Sequence, residues 1–260
     1  MRDRAVEVDG RSVLLASGAR LEPDYLVLST GSHYPFPAKL EDDDAASARE
    51  RVRAAHEALS GAERVLLIGA GPSGLELAGE IKATFPEKHV TIVDVAADIL
   101  AGPYDQALRD ELRRQLGELG VELRLGVALA ALPDTAPASA GAVRVTTAAG
   151  EAIEADIWFR CFGVVPQTGY LRGALADARD ERDYIRVDEH LQVSDRVFAI
   201  GDIANADRDM AGVAGAQARL VAANIRAAIT SAPATPSVPG SCPAPPSGPS
   251  GTAINGGNGW

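Results

Sequence analysis

The stretch that decides the fold of this chain is Val65-Leu66-Leu67-Ile68-Gly69-Ala70-Gly71-Pro72-Ser73-Gly74. It predicts a buried β-strand, a tight glycine turn and then an α-helix. In such a turn Gly69 permits the bend, Gly71 lets the backbone approach a pyrophosphate, and Gly74 lets the helix pack closely on the strand. Free N–H groups and the helix dipole favour phosphate there. We therefore predict a dinucleotide site, the alternative being an ordinary strand–turn–helix; its residues are Gly69, Ala70, Gly71, Pro72, Ser73 and Gly74.

A second apolar run, residues 90–93, ends in Asp94, about 20 residues past the last glycine. A carboxylate at this position accepts hydrogen bonds from ribose hydroxyls and repels a 2′-phosphate. The residues that follow, Val95-Ala96-Ala97-Asp98, include no Arg or Lys to hold such a phosphate. The sequence therefore favours NADH over NADPH as the cofactor.

The chain also contains an internal repeat. Residues 18–31 read GARLEPDYLVLSTG and residues 150–163 read GEAIEADIWFRCFG. Without a gap, the aligned pairs are Gly18 with Gly150, Leu21 with Ile153, Glu22 with Glu154, Asp24 with Asp156, and Gly31 with Gly163. A short β-rich segment precedes each copy. The repeat predicts an α/β chain with two Rossmann-like modules of three-layer ββα architecture.

The first module lacks the front end that the second one has. Only seventeen residues precede Gly18, and Asp9-Gly10 and Ser17-Gly18 predict hairpin turns rather than a phosphate-binding loop. We therefore expect the first module to be incomplete, with the chain starting inside it.

Three segments carry a resemblance to a known family: LSTGSHYPFP at residues 28–37, GAGPSGLELAGE at 69–80 and VFAIGD at 197–202. The sequence resembles the two-dinucleotide-domain flavoprotein reductases, and most of all the apoptosis-inducing-factor-like and ferroptosis-suppressor-like oxidoreductases. The resemblance implies that FAD and NADH bind, and that hydride passes from NADH to flavin and on to a quinone or other small acceptor. It also implies that the chain is truncated at both ends.

The resemblance implies an organisation in three parts. Residues 1–60 and 164–230 would form a partial FAD-binding domain, and residues 61–163 an NAD(H)-binding domain. Residues 231–260, rich in Pro, Ser and Gly, would form a disordered tail. The oligomeric state is left open.

The same resemblance implies roles for single residues. Glu76 would lie near the nicotinamide as the catalytic residue, and further cofactor contacts would come from Thr30, Gly31, Gly163, Gly201, Asp202 and Gln217. Other interpretations stay open for several of them. Asp202 suits a helix cap, the glycines suit plain turns, and a solvated helix face would explain Glu76 together with Glu80.

Composition limits the remaining function classes. The chain has 36 acidic and 25 basic residues, a net charge of −11, which argues against nucleic acid and anionic membrane surfaces. No apolar run approaches the ~20 residues that span a bilayer, and a cytoplasmic location follows as the default. The four histidines show no metal-ligand spacing, so we expect no metal site.

Two cysteines, Cys161 and Cys242, lie far apart without a C-x-x-C motif, which argues against redox-disulfide chemistry. We expect Cys161 to be a core residue of an apolar strand. Arg160 interrupts the same strand and would either pair with an acid or lie at the exposed end of the sheet.

Periodicity and turn signals predict the remaining elements. The predicted helices are residues 45–59, 72–84, 105–119 and 212–230, and the predicted strands are 65–68, 90–94, 121–125 and 197–200. Residues 126–142 are rich in Ala and Pro and predict a loop. Two alternatives to an oxidoreductase remain: a truncated, flavin-free NAD(H)-binding module without catalytic activity, and an interaction scaffold built on the Pro-rich tail.

Overall fold

A computed structural model describes residues 3–40, 44–206, 213–231 and 233–236. The strands are β1 Ala5–Asp9, β2 Ser12–Leu15, β3 Arg20–Leu21, β4 Leu26–Leu28, β5 Ser32–His33, β6 Arg64–Ile68, β7 His89–Asp94, β8 Glu122–Leu125, β9 Val143–Thr146, β10 Ala152–Ala155, β11 Ile157–Arg160, β12 Val165–Pro166, β13 Leu171–Arg172, β14 Gln192–Ser194 and β15 Val197–Ala199. The helices are α1 Ala45–Gly61, α2 Pro72–Thr84, α3 Gln106–Glu118, α4 Gly173–Asp177 and α5 Val213–Ile229, and a 3₁₀ turn spans Gly201–Ile203. The chain divides into two compact units: residues 1–31 with 166–260, and residues 32–165.

The second unit is built on a parallel sheet of order β11-β6-β7-β8. Its central strand β6 is buried on both faces, which is why it is a continuous apolar run. Val65 and Leu67 pack in a core with the helices, whereas Leu66 and Ile68 pack against the hairpin β9–β10. This arrangement confirms the α/β class and gives the unit helix, sheet and hairpin layers.

The second unit begins at Ser32, well before the boundary at residue 61 suggested by the sequence. The reason is α1, since Val52, Ala55, Ala58 and Leu59 of this helix pack against the core of the second unit. The Asp44 carboxylate caps α1 by accepting hydrogen bonds from the N–H groups of the first turn. Of the predicted tail, residues 232 and 237–260 lie outside the part of the chain that the structure describes.

The predicted loop at residues 126–142 covers one edge of the sheet. The Ala138 N–H donates to the Trp158 carbonyl at 2.8 Å, and the Gly141 N–H donates to the Asp156 carbonyl at 2.9 Å. The Trp158 indole N–H donates in turn to the Thr135 carbonyl at 2.9 Å. Residues 135–141 therefore occupy hydrogen-bonding groups that edge strand β11 would otherwise expose.

Two buried lysines join the ends of helices α1 and α2. Lys88 is 5% exposed, and its ammonium group donates to the carbonyls of Ser60, at 3.1 Å, and Ala62. Lys82 is 9% exposed and donates to the carbonyls of Pro86, at 2.5 Å, and Lys88, at 2.9 Å. The two ammonium groups thus satisfy four backbone carbonyls around the two helix ends.

The first unit contains two small sheets, of order β13-β1-β2-β3 and β14-β15-β4. Strand β15 is parallel to β4 and is buried on both faces, with Val197 and Ala199 in one core and Phe198 in another. Helix α5 contributes Val221 to the second of these cores. The carboxyl ends of β15 and β4 are therefore side by side.

The two copies of the sequence repeat have corresponding structures. Strands β2 and β3 form one antiparallel pair, and β9 and β10 form the other. The aligned glycines Gly18 and Gly150 both have φ +86° in the turn of their hairpin. Each hairpin is followed by a strand, β4 or β11, that enters a parallel pair.

Candidate nucleotide-binding sites

The first and third glycines of the turn are required by the packing of the protein itself. Gly69 has φ +116°, and a Cβ atom there would lie 2.7 Å from the Cys161 carbonyl oxygen. A Cβ at Gly74 would lie 2.0 Å from the Gly69 carbonyl oxygen and 3.3 Å from the Cys161 Cβ. Strand β6, helix α2 and the end of β11 therefore meet at distances that leave no room for a side chain.

The second glycine is not required by packing. Gly71 is the N-cap residue of α2 with φ −78°, a backbone conformation that suits any residue. A Cβ there would have nothing within 4 Å, and no side chain caps this helix. Pro72 occupies the first helical turn, where a missing N–H costs nothing. An open backbone surface at an uncapped helix N-terminus fits a pyrophosphate.

Asp94 is the last residue of β7 and holds the glycine turn in place. Its Oδ2 accepts a hydrogen bond from the Ala70 N–H at 2.6 Å, and its Oδ1 accepts one from the Ala96 N–H at 2.7 Å. A carboxylate offers about four lone-pair positions, so both oxygens retain capacity for ribose hydroxyls. Asp94, the residue predicted to bind the ribose, therefore also links two neighbouring loops of the protein.

Three predicted groups of the second unit follow adjacent parallel strands. The glycine turn follows β6, Asp94 ends β7, and Gly163 comes shortly after β11. Ligands of open α/β sheets bind at this edge. Gly163 has φ +94° and is exposed. Glu76 is also exposed, on the second turn of α2, and its place beside the nicotinamide stays a prediction.

Sequence reasoning missed a residue that shapes the loop after Asp94. The Arg109 guanidinium on α3 donates to the carbonyls of Ile99 at 3.1 Å, Leu100 at 3.0 Å and Gly102 at 2.7 Å. No sequence signal marks Arg109, because its partners are backbone carbonyls brought together by the loop.

The first unit brings its own predicted residues to one sheet edge. Thr30 and Gly31 follow β4, Gly201 follows β15, and the Ile200 N–H donates to the Leu28 carbonyl at 3.0 Å. Asp202 is exposed in the 3₁₀ turn. These residues thus occupy the carboxyl ends of two parallel strands, as in the second unit.

Thr30 is held by two residues that the sequence did not single out. Its hydroxyl donates to the Gln167 carbonyl at 2.9 Å and shares a hydrogen bond with the Tyr170 hydroxyl at 3.0 Å. Burial raises the pKa of Tyr170. The Gly31 carbonyl accepts from the Gln167 N–H at 2.9 Å, so the crossing after β4 is fixed from two sides.

Gln217 is buried and joins helix α5 to the turn that follows β15. It is 4% exposed, its Oε1 accepts from the Gly201 N–H at 2.7 Å, and its Nε2 donates to the Ala206 carbonyl at 3.3 Å. The amide therefore ties α5 to the turn after β15. Contact with a flavin ring stays a prediction, and residues 207–212 lie outside the described part of the chain.

The model of the pyridine nucleotide-disulphide oxidoreductase family matches residues 1–232. The chain belongs to this family. Among similar proteins, an FAD-dependent oxidoreductase of Flammulina velutipes is 32% identical over 228 residues, covering 84% of this chain and 67% of that protein. Ferroptosis suppressor protein 1 of Homo sapiens is 29% identical over 228 residues, covering 85% of this chain and 60% of that protein.

Among solved structures, the chain is similar to a ferredoxin reductase from Rhodopseudomonas palustris, with a TM-score of 0.68 and 28% identity. The match covers 92% of this chain and 60% of that one. This pyridine nucleotide-disulphide oxidoreductase chain therefore spans about 60% of the length of relatives such as ferroptosis suppressor protein 1.

Cys161 does not supply the disulphide of the family name. It is 4% exposed, and burial raises the pKa of its thiol to about 12. The thiolate is the reactive form of cysteine, so burial works against reaction of this thiol. The prediction of a core residue is confirmed, and packing on Gly69 and Gly74 gives Cys161 its structural role. Cys242 lies outside the described residues.

Arg160 is the last residue of edge strand β11 and is partly exposed, which agrees with the expectation that it lies at the exposed end of the sheet. Its guanidinium stacks on the Phe162 ring, 4.6 Å from the centroid, and no described carboxylate pairs with it. Its Nε is buried and lacks a hydrogen-bond partner.

Two further findings concern membranes and metals. Within the described ranges, no helix is both long and apolar enough to cross a membrane. Across the same residues, no group of three or more His, Cys, Asp or Glu side chains is placed to hold a metal ion.

Proposed function

We propose that this chain is the nucleotide-binding part of an FAD-dependent NADH oxidoreductase that passes electrons to a quinone or another small acceptor. One observation carries the proposal. Each of the two units places a glycine turn and a carboxylate at the carboxyl ends of adjacent parallel strands, Gly69–Gly71 with Asp94 in one and Gly31 with Gly201 and Asp202 in the other. Duplicated nucleotide sites of this kind suit one dinucleotide in each unit.

In the second unit, the proposed ligand is NADH. The turn at Gly71 binds the pyrophosphate through backbone N–H groups, and Asp94 accepts hydrogen bonds from the ribose. Glu76 orients the carboxamide of the nicotinamide. The protein supplies binding and orientation, and needs no acid or base for the transfer of hydride.

In the first unit, the proposed ligand is FAD. Asp202 accepts a hydrogen bond from a flavin chain hydroxyl, and Thr30, Gly31 and Gly201 contribute backbone close to the cofactor. FAD, when bound, accepts hydride and passes electrons onward. The acceptor is a small molecule, and a quinone is proposed from the resemblance of the sequence to the ferroptosis-suppressor-like oxidoreductases.

The absorption spectrum of the purified chain tests this function. A flavin spectrum that bleaches when NADH is added is the expected result. Protein that remains without flavin after reconstitution with FAD, or flavin that NADH does not bleach, would overturn the catalytic proposal.

One observation favours a second candidate, a flavin-free NAD(H)-binding module. The glycine-rich strand–turn–helix lies in the second unit, whereas Gly10 and Gly18 form hairpin turns among the described residues of the first unit. A colourless protein that binds NADH with one site per chain would establish this candidate in place of the oxidoreductase.

The variant Gly71→Ala separates ligand binding from folding. Because nothing in the protein lies within 4 Å of the added Cβ, we expect the free energy of unfolding to fall by no more than about 1 kcal/mol, the scale of placing alanine at a helix N-cap. The methyl group would instead occupy the approach of the pyrophosphate, so NADH affinity should fall about tenfold or more, which equals at least about 1.4 kcal/mol. Calorimetric titration with NADH and urea denaturation check both parts, and undiminished affinity would place the pyrophosphate elsewhere.

The variant Asp94→Asn tests the preference for NADH. Asparagine keeps one acceptor oxygen and replaces the other with an NH₂ donor, so it cannot accept from both Ala70 and Ala96. We expect NADH affinity to fall about tenfold, and NADPH to lose less because the repelling charge is gone. Titration with both cofactors measures the ratio. An unchanged ratio would show that Asp94 does not set the preference.

A further inference from the structure

The loop that follows β7 holds the peptide group between Ala70 and Gly71, in the middle of the glycine turn. The Leu100 N–H donates a hydrogen bond to the Ala70 carbonyl at 2.9 Å. The Ala70 carbonyl and the Gly71 N–H belong to one planar trans peptide group, so they point in opposite directions. The hydrogen bond from Leu100 therefore fixes the direction of the Gly71 N–H, a backbone donor at the N-terminus of α2.

Leu100 makes this contact from a strained backbone conformation. Its φ is +50°, in the left-handed region that residues with a bulky side chain rarely adopt. The Leu100 side chain is 5% exposed, and Ile99 before it is fully buried in the same core. A strained residue keeps its conformation only where surrounding contacts impose it, so the loop needs an anchor beyond the burial of these two side chains.

Arg109 on α3 is that anchor. Its Nε donates to the Ile99 carbonyl at 3.1 Å, and its Nη2 donates to the carbonyls of Leu100 at 3.0 Å and Gly102 at 2.7 Å. Three carbonyls within four consecutive residues are thus held by one planar guanidinium group, whose donors have a fixed geometry. The contacts lie on both the N-terminal and the C-terminal side of the strained residue.

We propose that Arg109 is a positioning residue of the dinucleotide site: through Leu100 it sets the Ala70–Gly71 peptide group so that the Gly71 N–H faces the pyrophosphate. This inference rests on the NADH site proposed for the second unit. Asp94 holds the Ala70 N–H, so the loop after β7 binds both polar backbone groups of one residue of the turn. A donor that is ordered before the ligand arrives binds it at a lower entropic cost.

Two NMR measurements on isotope-labelled Arg109→Met protein test the proposal. Exchange of the Leu100 amide with solvent should be about tenfold faster or more, because the loop opens more often without its anchor. ADP-ribose should bind about tenfold more weakly. Adenosine, which has the ribose hydroxyls but no phosphate, should bind almost as well as to the wild-type chain. A general loosening of the unit would weaken the binding of both ligands.

Arg114→Met is the matched control. Arg114 is on the same helix, its side chain is 54% exposed, and it pairs with Glu111 and Glu118. Leu100 exchange and ADP-ribose affinity should equal the wild-type values in this variant. Equal values in Arg109→Met and Arg114→Met would overturn the proposal, and so would equal losses of ADP-ribose and adenosine affinity in Arg109→Met.

Two further results keep the inference separate from the proposed function and from folding. A wild-type chain that binds neither NADH nor ADP-ribose would overturn the proposed function, whereas equal binding by the wild-type chain and Arg109→Met would overturn the positioning role alone. If Arg109→Met fails to fold, Arg109→Lys replaces it, since lysine keeps the charge but not the planar fork. Leu100 exchange should then be faster than in Arg114→Lys, and equal rates would contradict the proposal.

Discussion

Replacing Gly74 with alanine should destabilise the second unit by about 3 kcal/mol, the upper part of the range for forced overpacking. The added Cβ would lie 2.0 Å from the Gly69 carbonyl oxygen, a backbone atom that no side-chain rotation can move away. Helix α2 must therefore shift away from strand β6. Since the same shift moves the N-terminus of α2, NADH binding should be lost with the stability. Urea denaturation and NADH titration measure the two effects.

Gly79→Ala is the matched control in the same helix. Nothing lies within 4 Å of its added Cβ, and alanine is favoured over glycine in a helix interior, so stability should rise by up to about 1 kcal/mol. If Gly74→Ala were as stable as this control, the close packing of α2 on the glycine turn would be wrong.

The second large effect is expected for Lys88→Met. Methionine keeps most of the buried chain length but removes the ammonium group, which leaves the Ser60 and Ala62 carbonyls without a donor. Charged hydrogen bonds and unsatisfied buried carbonyls are each worth a few kcal/mol, so a loss of about 3 kcal/mol is expected. The Phe85 ring, 4.7 Å from the ammonium group, also loses its cation contact. Thermal and urea denaturation measure the loss.

Arg53→Met is the exposed counterpart of this substitution. The Arg53 side chain is 66% exposed, and its change should alter stability by no more than about 0.5 kcal/mol. A Lys88→Met protein as stable as Arg53→Met would show that the buried lysine contributes no net stability, as for some buried ionic groups that apolar residues replace without loss.

The sequence predicted the parts of the fold that depend on neighbouring residues. The helix at 72–84 has the predicted bounds, α1 begins at the predicted residue and ends two residues later than predicted, and α3 is one residue shorter than predicted at each end. The functions of Gly69 and Gly74 in the turn were predictable because strand, turn and helix are contiguous. The repeat was recognisable from aligned residues alone, and in the structure both copies end in a strand that enters a parallel pair.

Contacts between distant segments were not predictable in the same way. Residues 135–141 carry no strand pattern, yet the Ala138 N–H donates to the Trp158 carbonyl of β11 and the Gly141 N–H donates to the Asp156 carbonyl just before that strand. Lys82 and Arg109 bind backbone carbonyls, which any sequence provides, so composition gives no hint of either contact. Helix α1 has no fully buried residue, and its assignment to the second unit depends on partly buried positions.

Because Cys161 is buried, the rate at which its thiol reacts can report how often the glycine turn at residues 69–74 opens. Its thiol cannot meet an alkylating reagent while β11, Gly69 and Gly74 remain packed together. The rate of alkylation, in a Cys242→Ser background, therefore reports how often this part of the protein opens. A ligand that binds the closed turn should slow that rate, so its affinity becomes measurable without a spectroscopic signal from the ligand itself.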